Sequence, residues 1–194
     1  MKIVELECSC GTVKGRLKVV PGSFFHVHCL CRDCQKFAGY LQNKDKILDE
    51  HGGSELFQTY PAYMEITEGQ EQIRGVQLTH KGIYRWYCDC CKLPLANTLR
   101  SAKVPFVGVS VKLMKFASEQ QKIDILGPVT LKAFGKYAIG DMPKDAHMRF
   151  PRTFLPKILA FMAKGFLGAK SRPSPFFIGD APVAKVHTFF DKAE

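Results

Sequence analysis

The sequence reads as a mainly β fold, α+β overall, and three observations carry that reading. Short apolar segments with partial alternation recur from residue 2 to about 125, with turn residues between them. One long helical pattern stands apart near the C-terminus, in residues 153–168. The cysteines sit at the ends of strand-like segments or in turns, as expected where strand ends converge.

The elements follow in order. Ile3–Glu7 partly alternates, Cys8-Ser9-Cys10-Gly11 turns, and Thr12–Val20 alternates again through Val13, Leu17 and Val19, which makes a hairpin ended by Pro21-Gly22. Phe24–His28 is a short strand running into a cysteine cluster, and a helical turn or loop leads from Cys34 to Gly39. The polar, Gly-rich stretch Asp49–Ser54 is a loop. Strands are expected at Glu55–Thr59, Tyr63–Thr67, Val76–His80, Ile83–Tyr87 and Pro105–Val111. In Thr153–Gly168, Thr153 is placed to cap a helix, Pro156 is tolerated in its first turn, and Gly165 or Gly168 ends it. Phe154, Leu155, Ile158, Leu159, Met162, Phe166 and Leu167 form its broad apolar face, expected to cover the sheet or a second copy of the chain. Arg172-Pro173-Ser174-Pro175 then breaks the chain before a short extended end. Two regions result: a cysteine-bearing domain at 1–125 and a basic extension at 126–194 packed on it.

The chain has 194 residues, 46% hydrophobic and 24% charged, and fifteen Phe, so it can bury a core without help from a metal. The start, MKIVELECSCG, lacks the apolar run of a secretory signal, and no stretch has the length of a membrane span. A soluble, cytoplasmic protein is the expectation, and in a reducing compartment clustered cysteines bind metal or do redox chemistry. Residues 1–130 carry 17 Lys+Arg against 13 Asp+Glu; residues 131–194 carry 11 against 5, so the net charge of +10 is concentrated in the tail. Such a bias attracts anionic small molecules, lipid surfaces or nucleic acid, although solubility alone explains much of it.

Seven of the eight cysteines read as metal ligands in two sites. The groups are Cys8-x-Cys10, Cys29-x-Cys31-x-x-Cys34, and Cys88-x-Cys90-Cys91. Tight spacing lets one turn aim two sulfurs at one ion, at zinc–sulfur distances of about 2.3 Å. Two pairs complete a four-thiolate structural zinc at Cys8, Cys10, Cys88 and Cys91, a site able to contribute on the order of 10 kcal/mol to folding. Cys90 is either a bystander or a substitute for Cys91; the Cys-x-x-Cys spacing favours Cys91. Cys29, Cys31 and Cys34 supply three ligands and leave a fourth tetrahedral position for a water or a substrate thiol, the mark of catalytic zinc. Two zinc ions per chain are therefore expected.

The segments CSCGTVKG at 8–15, HCLCRDCQKFAG at 28–39 and WYCDCCKLPL at 86–95 together resemble the family of glutathione-dependent formaldehyde-activating enzymes and centromere protein V, over about residues 1–115. The resemblance implies twisted antiparallel sheets around a structural zinc at Cys8, Cys10, Cys88 and Cys91. It also implies a catalytic zinc at Cys29, Cys31 and Cys34, where glutathione and formaldehyde combine in a carbon–sulfur lyase reaction of the S-(hydroxymethyl)glutathione synthase kind. The chain departs from the family pattern at Leu30 (often His), Gln35 (often Arg) and Lys92 (usually Gly), and in its tail. Lys92 implies a strained or altered turn.

Among other residues, His28 reads as a packing residue in its strand or a proton carrier, and Trp86 as core. Arg85 and Lys36 read as surface cations able to hold a substrate carboxylate. The expected partner is a small-molecule thiol such as glutathione, with a homo-oligomer as a further option. The alternative is a non-catalytic zinc module whose basic tail contacts a partner, an anionic membrane or nucleic acid; a membrane surface is disfavoured because the helix carries few lysines.

Overall fold

A computed structural model describes residues 1–189. It is mainly β, with three sheets and four α-helices. The hairpin β1 (Lys2–Glu7) and β2 (Lys14–Val19) forms where expected, with Val4 opposite Leu17. Next come β3 (Phe25–Cys29), α1 (Arg32–Tyr40), α2 (Lys44–Ile47), β4 (Ser54–Thr59) and β5 (Met64–Glu68). Then follow β6 (Ile73–Gln77), β7 (Tyr84–Cys88), β8 (Pro94–Thr98), β9 (Val107–Ser110) and α3 (Glu119–Leu126). The C-terminal part holds β10 (Leu131–Ala133), α4 (Leu155–Leu167), β11 (Phe177–Ile178), β12 (Ala181–Pro182) and β13 (Val186–Thr188). The expected extended end includes residues 190–194, which lie outside the described residues.

One sheet is β1-β2-β5; the large one runs β10-β3-β4-β9-β8-β7-β6-β13; β11 and β12 form a small ribbon. The body of the large sheet is antiparallel, while its two edges, β10 on β3 and β13 on β6, are parallel pairs drawn from beyond residue 126. The C-terminal region thus supplies both edge strands, and each is only three residues long, which keeps the exposed edges short.

The main core lies between the two larger sheets. Val4, Leu6, Leu17 and Val19 from the small sheet belong to one buried cluster with Phe57, Trp86, Leu95, Val107 and Val109 from the large one. The period-2 burial of β2 directs Leu17 and Val19 inward and Arg16 and Lys18 outward. Trp86 is fully buried, donates its Nε1–H to Thr98 at 2.9 Å and stacks on Phe176 at 5.2 Å, so it is core as expected.

Four local expectations are corrected. The helix after β3 begins at Arg32, before Cys34, because Cys31 caps it. Strand β6 spans Ile73–Gln77 rather than Val76–His80, and Gly75, opposite Trp86, leaves room for the indole ring, which a Cβ would approach to 2.9 Å. Thr153 caps nothing: a 3-10 turn at Arg152–Phe154 leads directly into α4. Finally, α4 does not bury its leucine-rich side. It presents Phe161 and Gly165 inward and leaves Leu155, Leu159, Phe166 and Leu167 exposed. Gly165 decides this: a Cβ there would come within 2.7 Å of Tyr60 and 2.8 Å of Pro105, so only glycine lets the helix approach this closely. Tyr60 stacks on Phe161 with ring centroids 4.3 Å apart and donates its hydroxyl to the Phe161 carbonyl at 2.7 Å, which pins the helix.

Candidate metal centres

The structure brings the cysteines together in two groups: Cys8, Cys10, Cys88 and Cys91, and separately Cys29, Cys31 and Cys34. Within each group every sulfur lies within 4.8 Å of the others. Sulfurs about 2.3 Å from a tetrahedral ion stand about 3.8 Å apart, so both groups fit a metal without rearrangement of the backbone. All eight cysteines are free thiols.

The first group is built from two similar turns. The Cys8 amide donates to the Val13 carbonyl at 2.9 Å, and the Cys88 amide donates to the Leu93 carbonyl at 3.0 Å. Each first-cysteine carbonyl then accepts a bond inside its turn, from Gly11 at 2.8 Å and from Lys92 at 2.9 Å. These knuckles join β1 to β2 and β7 to β8, so the sulfurs clip the small sheet to the large one. Gly11 has φ 74° and Lys92 φ 55°; the second knuckle therefore holds a lysine in the left-handed region. Its side chain bonds Asp89. Cys91, not Cys90, joins the group, and Cys90 is exposed.

Charge in this group is split. Cys10 lies 3.3 Å from the Thr12 hydroxyl, and that contact with the Thr12 backbone bond brings its thiol down to about 6. Burial pushes the Cys8 and Cys88 thiols up. A cation shared by all four would replace the protons on the buried pair.

The second group is built differently. Cys29 is the last residue of β3, Cys31 is the N-cap of α1, and Cys34 sits in its first turn. The Cys31 sulfur accepts the Cys34 amide at 3.4 Å, and the N-terminal end of a helix favours negative charge on sulfur. Cys29 and Cys34 are buried and Cys31 half-buried. Hydrogen bonds from the Cys29 and Cys31 thiols, together with the Arg85 charge, hold Cys34 well below the usual thiol range. Hydrogen bonds to Cys31 and Cys34, together with burial, raise Cys29 well above it.

Arg85 corrects the expectation of a surface cation. It is buried, with Nη1 3.9 Å from the Cys34 sulfur and 3.4 Å from the Asn97 side-chain oxygen, and it lies over the Phe37 ring. A buried guanidinium needs a counter-charge, and Cys34 provides it together with Asp33, whose carboxylate lies 4.0 Å from Nη2. Beneath Cys34 and Arg85 lies a cavity of about 20 Å³, the size of one water.

Outside Cys31 the site opens into a groove of about 940 Å³. Arg32, Lys36, Lys136 and Arg149 line it with a single carboxylate, Asp33. Arg32 and Lys136 flank the Tyr137 ring at 4.7 and 4.5 Å. Phe134, also lining the groove, has φ 66°, a strained conformation for a non-glycine residue. Residues 134–150 belong to the tail and carry no motif; only the basic bias of residues 131–194 as a whole hinted at this wall.

The remaining expected residues take supporting places. Leu30 is fully buried, and Gln35 donates to the carbonyls of Leu30 at 3.1 Å and Tyr137 at 2.8 Å, tying α1 to the groove wall. His28 is paired with Asp49 at 2.5 Å, and its ring packs on Gly53. Behind the cluster, His26 and Lys122 both bond Glu55, at 2.6 and 2.9 Å. Burial alone would raise Glu55; these two partners override it and bring its carboxyl down to about 2.

Fold and site together define a mainly β protein with two cysteine clusters able to hold metal ions. The chain belongs to DUF6151, a family of unknown function whose profile matches residues 1–187. No curated protein matches it. A crystal structure of a Rhodobacter sphaeroides protein aligns over 60% of this chain and 92% of its own, at 16% identity and a TM-score of 0.44. Among the described residues no helix is long and apolar enough to cross a membrane.

Proposed function

We propose that the protein binds two zinc ions and uses the second for carbon–sulfur lyase chemistry on an adduct of an acidic thiol, of the glutathione type, with a small aldehyde. The observation that carries this reading is the three-cysteine cluster opening at Cys31 into a cationic groove. Zinc suits all-thiolate donor sets, and the resemblance of the three cysteine segments to glutathione-dependent formaldehyde-activating enzymes supports the same choice. Zinc held by Cys29, Cys31 and Cys34 would supply a Lewis acid that keeps a bound thiol ionised at neutral pH.

The chain's own residues do the rest. Arg32, Lys36, Lys136 and Arg149 draw an acidic thiol into the groove and hold its carboxylates, which places its sulfur near Cys31. Arg85 balances the negative charge of Cys34 and fixes its position. In the synthetic direction the thiolate sulfur bonds to the aldehyde carbon, and the former carbonyl oxygen takes up a proton. The test is the exchange rate of thiol–aldehyde adducts over a panel of thiols. Acceleration that is strongest for acidic thiols, and lost in Cys31→Ser, supports the reading. Rates equal to the spontaneous ones for every thiol would sink it.

A further inference from the structure

The tail that supplies one wall of the groove also carries an unpartnered helix face. Leu155, Leu159 and Phe166, with half-buried Met162 at the edge, recur at helical spacing along one stripe of α4. Leu155 is 47% exposed, Leu159 68%, Phe166 56% and Leu167 90%. This is no fraying terminus, because the opposite face is fixed by Phe161, Gly165 and Tyr60. The apolar strip is bordered on one side by the protein body and on the other by Lys157 and Lys164.

Charge identifies the occupant. Residues 146–179 contain six Lys or Arg and no Asp or Glu: Arg149, Arg152, Lys157, Lys164, Lys170 and Arg172. Arg172 is paired with Asp180, whereas among the described residues none of the other five pairs with a carboxylate. A second copy docked on this face would bring like charges together. Nucleic acid would take the cations but leave the leucines in water. An anionic lipid surface satisfies both, with apolar side chains entering the acyl boundary and cations meeting the headgroups.

We infer that α4 docks the protein flat on an anionic membrane surface through Leu155, Leu159, Phe166 and Leu167, with Arg152, Lys157 and Lys164 at the headgroups. The proposal is independent of the thiol chemistry above. The few lysines of α4 itself are supplemented by Arg149, Arg152 and Lys170 around it, which sequence position alone did not weigh.

The test is co-sedimentation of the full chain with vesicles of phosphatidylcholine, pure or containing about 30% phosphatidylserine. The expected result is binding to the anionic vesicles only, lost between about 0.05 and 0.5 M salt. The double variant Leu159→Ser/Leu167→Ser should weaken binding about tenfold or more, with unchanged metal content and melting temperature, since both side chains are already exposed. Arg152→Glu/Lys157→Glu should abolish the preference for anionic vesicles. The proposal is overturned by no vesicle binding at low salt, or by equal binding of the double-serine variant. It is also overturned if the leucines support only a concentration-dependent dimer, or if the cations capture only RNA.

Discussion

The two cysteine clusters differ in a way that depth does not explain. The shallower one, with Cys10 exposed and Cys91 half-buried, offers four sulfurs, a complete ligand set for one tetrahedral ion. The more deeply set one, with Cys29 and Cys34 buried, offers three sulfurs and opens into a groove. Ligand number, not burial, separates a clip from a reaction site. Their scaffolds match that division. The four-sulfur cluster joins two hairpin turns from different sheets, where a metal adds fold energy; the three-sulfur cluster sits on a strand end and a helix N-terminus that hydrogen bonds already hold.

The sharpest way to break this contrast is to remove one sulfur from the clip. Cys88→Ser should cost several kcal/mol, toward the order of 10 kcal/mol that a structural zinc supplies, and leave the chain largely unfolded by circular dichroism. Cys34→Ser should leave a folded protein, because Asp33, 4.0 Å from Arg85 Nη2, still faces the guanidinium. Equal damage from both would mean that both clusters are structural.

Next in size is Glu55. Its carboxyl is lowered from about 4.5 to about 2 in the folded state, so it stabilises above its unfolded value, and that contribution is lost as pH falls through the folded one. The difference is worth about 3 kcal/mol. Glu55→Gln should flatten the acid limb of stability between about pH 4.5 and 2 in denaturant titrations at set pH. It tests whether the three-sulfur cluster rests on a largely buried ionic network, where the clip has only the more exposed pairs of Asp89.

Arg85→Met tests the charge balance within the second cluster. The metal-free Cys34 thiolate should lose its counter-charge and titrate upward, seen as a loss of thiolate ultraviolet absorbance at neutral pH. Folding should weaken by about 2 kcal/mol, less than for a buried pair whose surviving charge cannot be neutralised, because Cys34 can take up a proton. The smallest effect belongs to the clip: Lys92→Gly relieves the left-handed lysine and should raise stability by about 1 kcal/mol, at the expense of an exposed ion pair with Asp89.

Much of this contrast was legible in the sequence, because cysteine spacing is local and a knuckle needs only a few residues. The first hairpin and most of the strands were legible for the same reason, through alternation. Long-range packing hid the rest. Pro94–Thr98 reads PLANT, too polar and proline-led for a strand, yet all five residues are buried as β8 between β7 and β9. Glu119–Leu126 shows little amphipathic pattern, and Lys122 makes it useful by reaching Glu55. Arg85 looked like a surface cation because its burial depends on Cys34, far away in the chain. The face of α4 was misjudged because hydrophobicity ranks leucine above glycine, while close approach to Tyr60 and Pro105 required glycine.

The most direct test of the two-cluster account is metal content per chain by elemental mass spectrometry, on the natural sequence and on Cys29→Ser/Cys31→Ser/Cys34→Ser. The expected result is about two zinc ions in the first and about one in the folded variant. One ion in both would contradict it, because the three-cysteine cluster would then hold no metal and the open site would lose its chemistry.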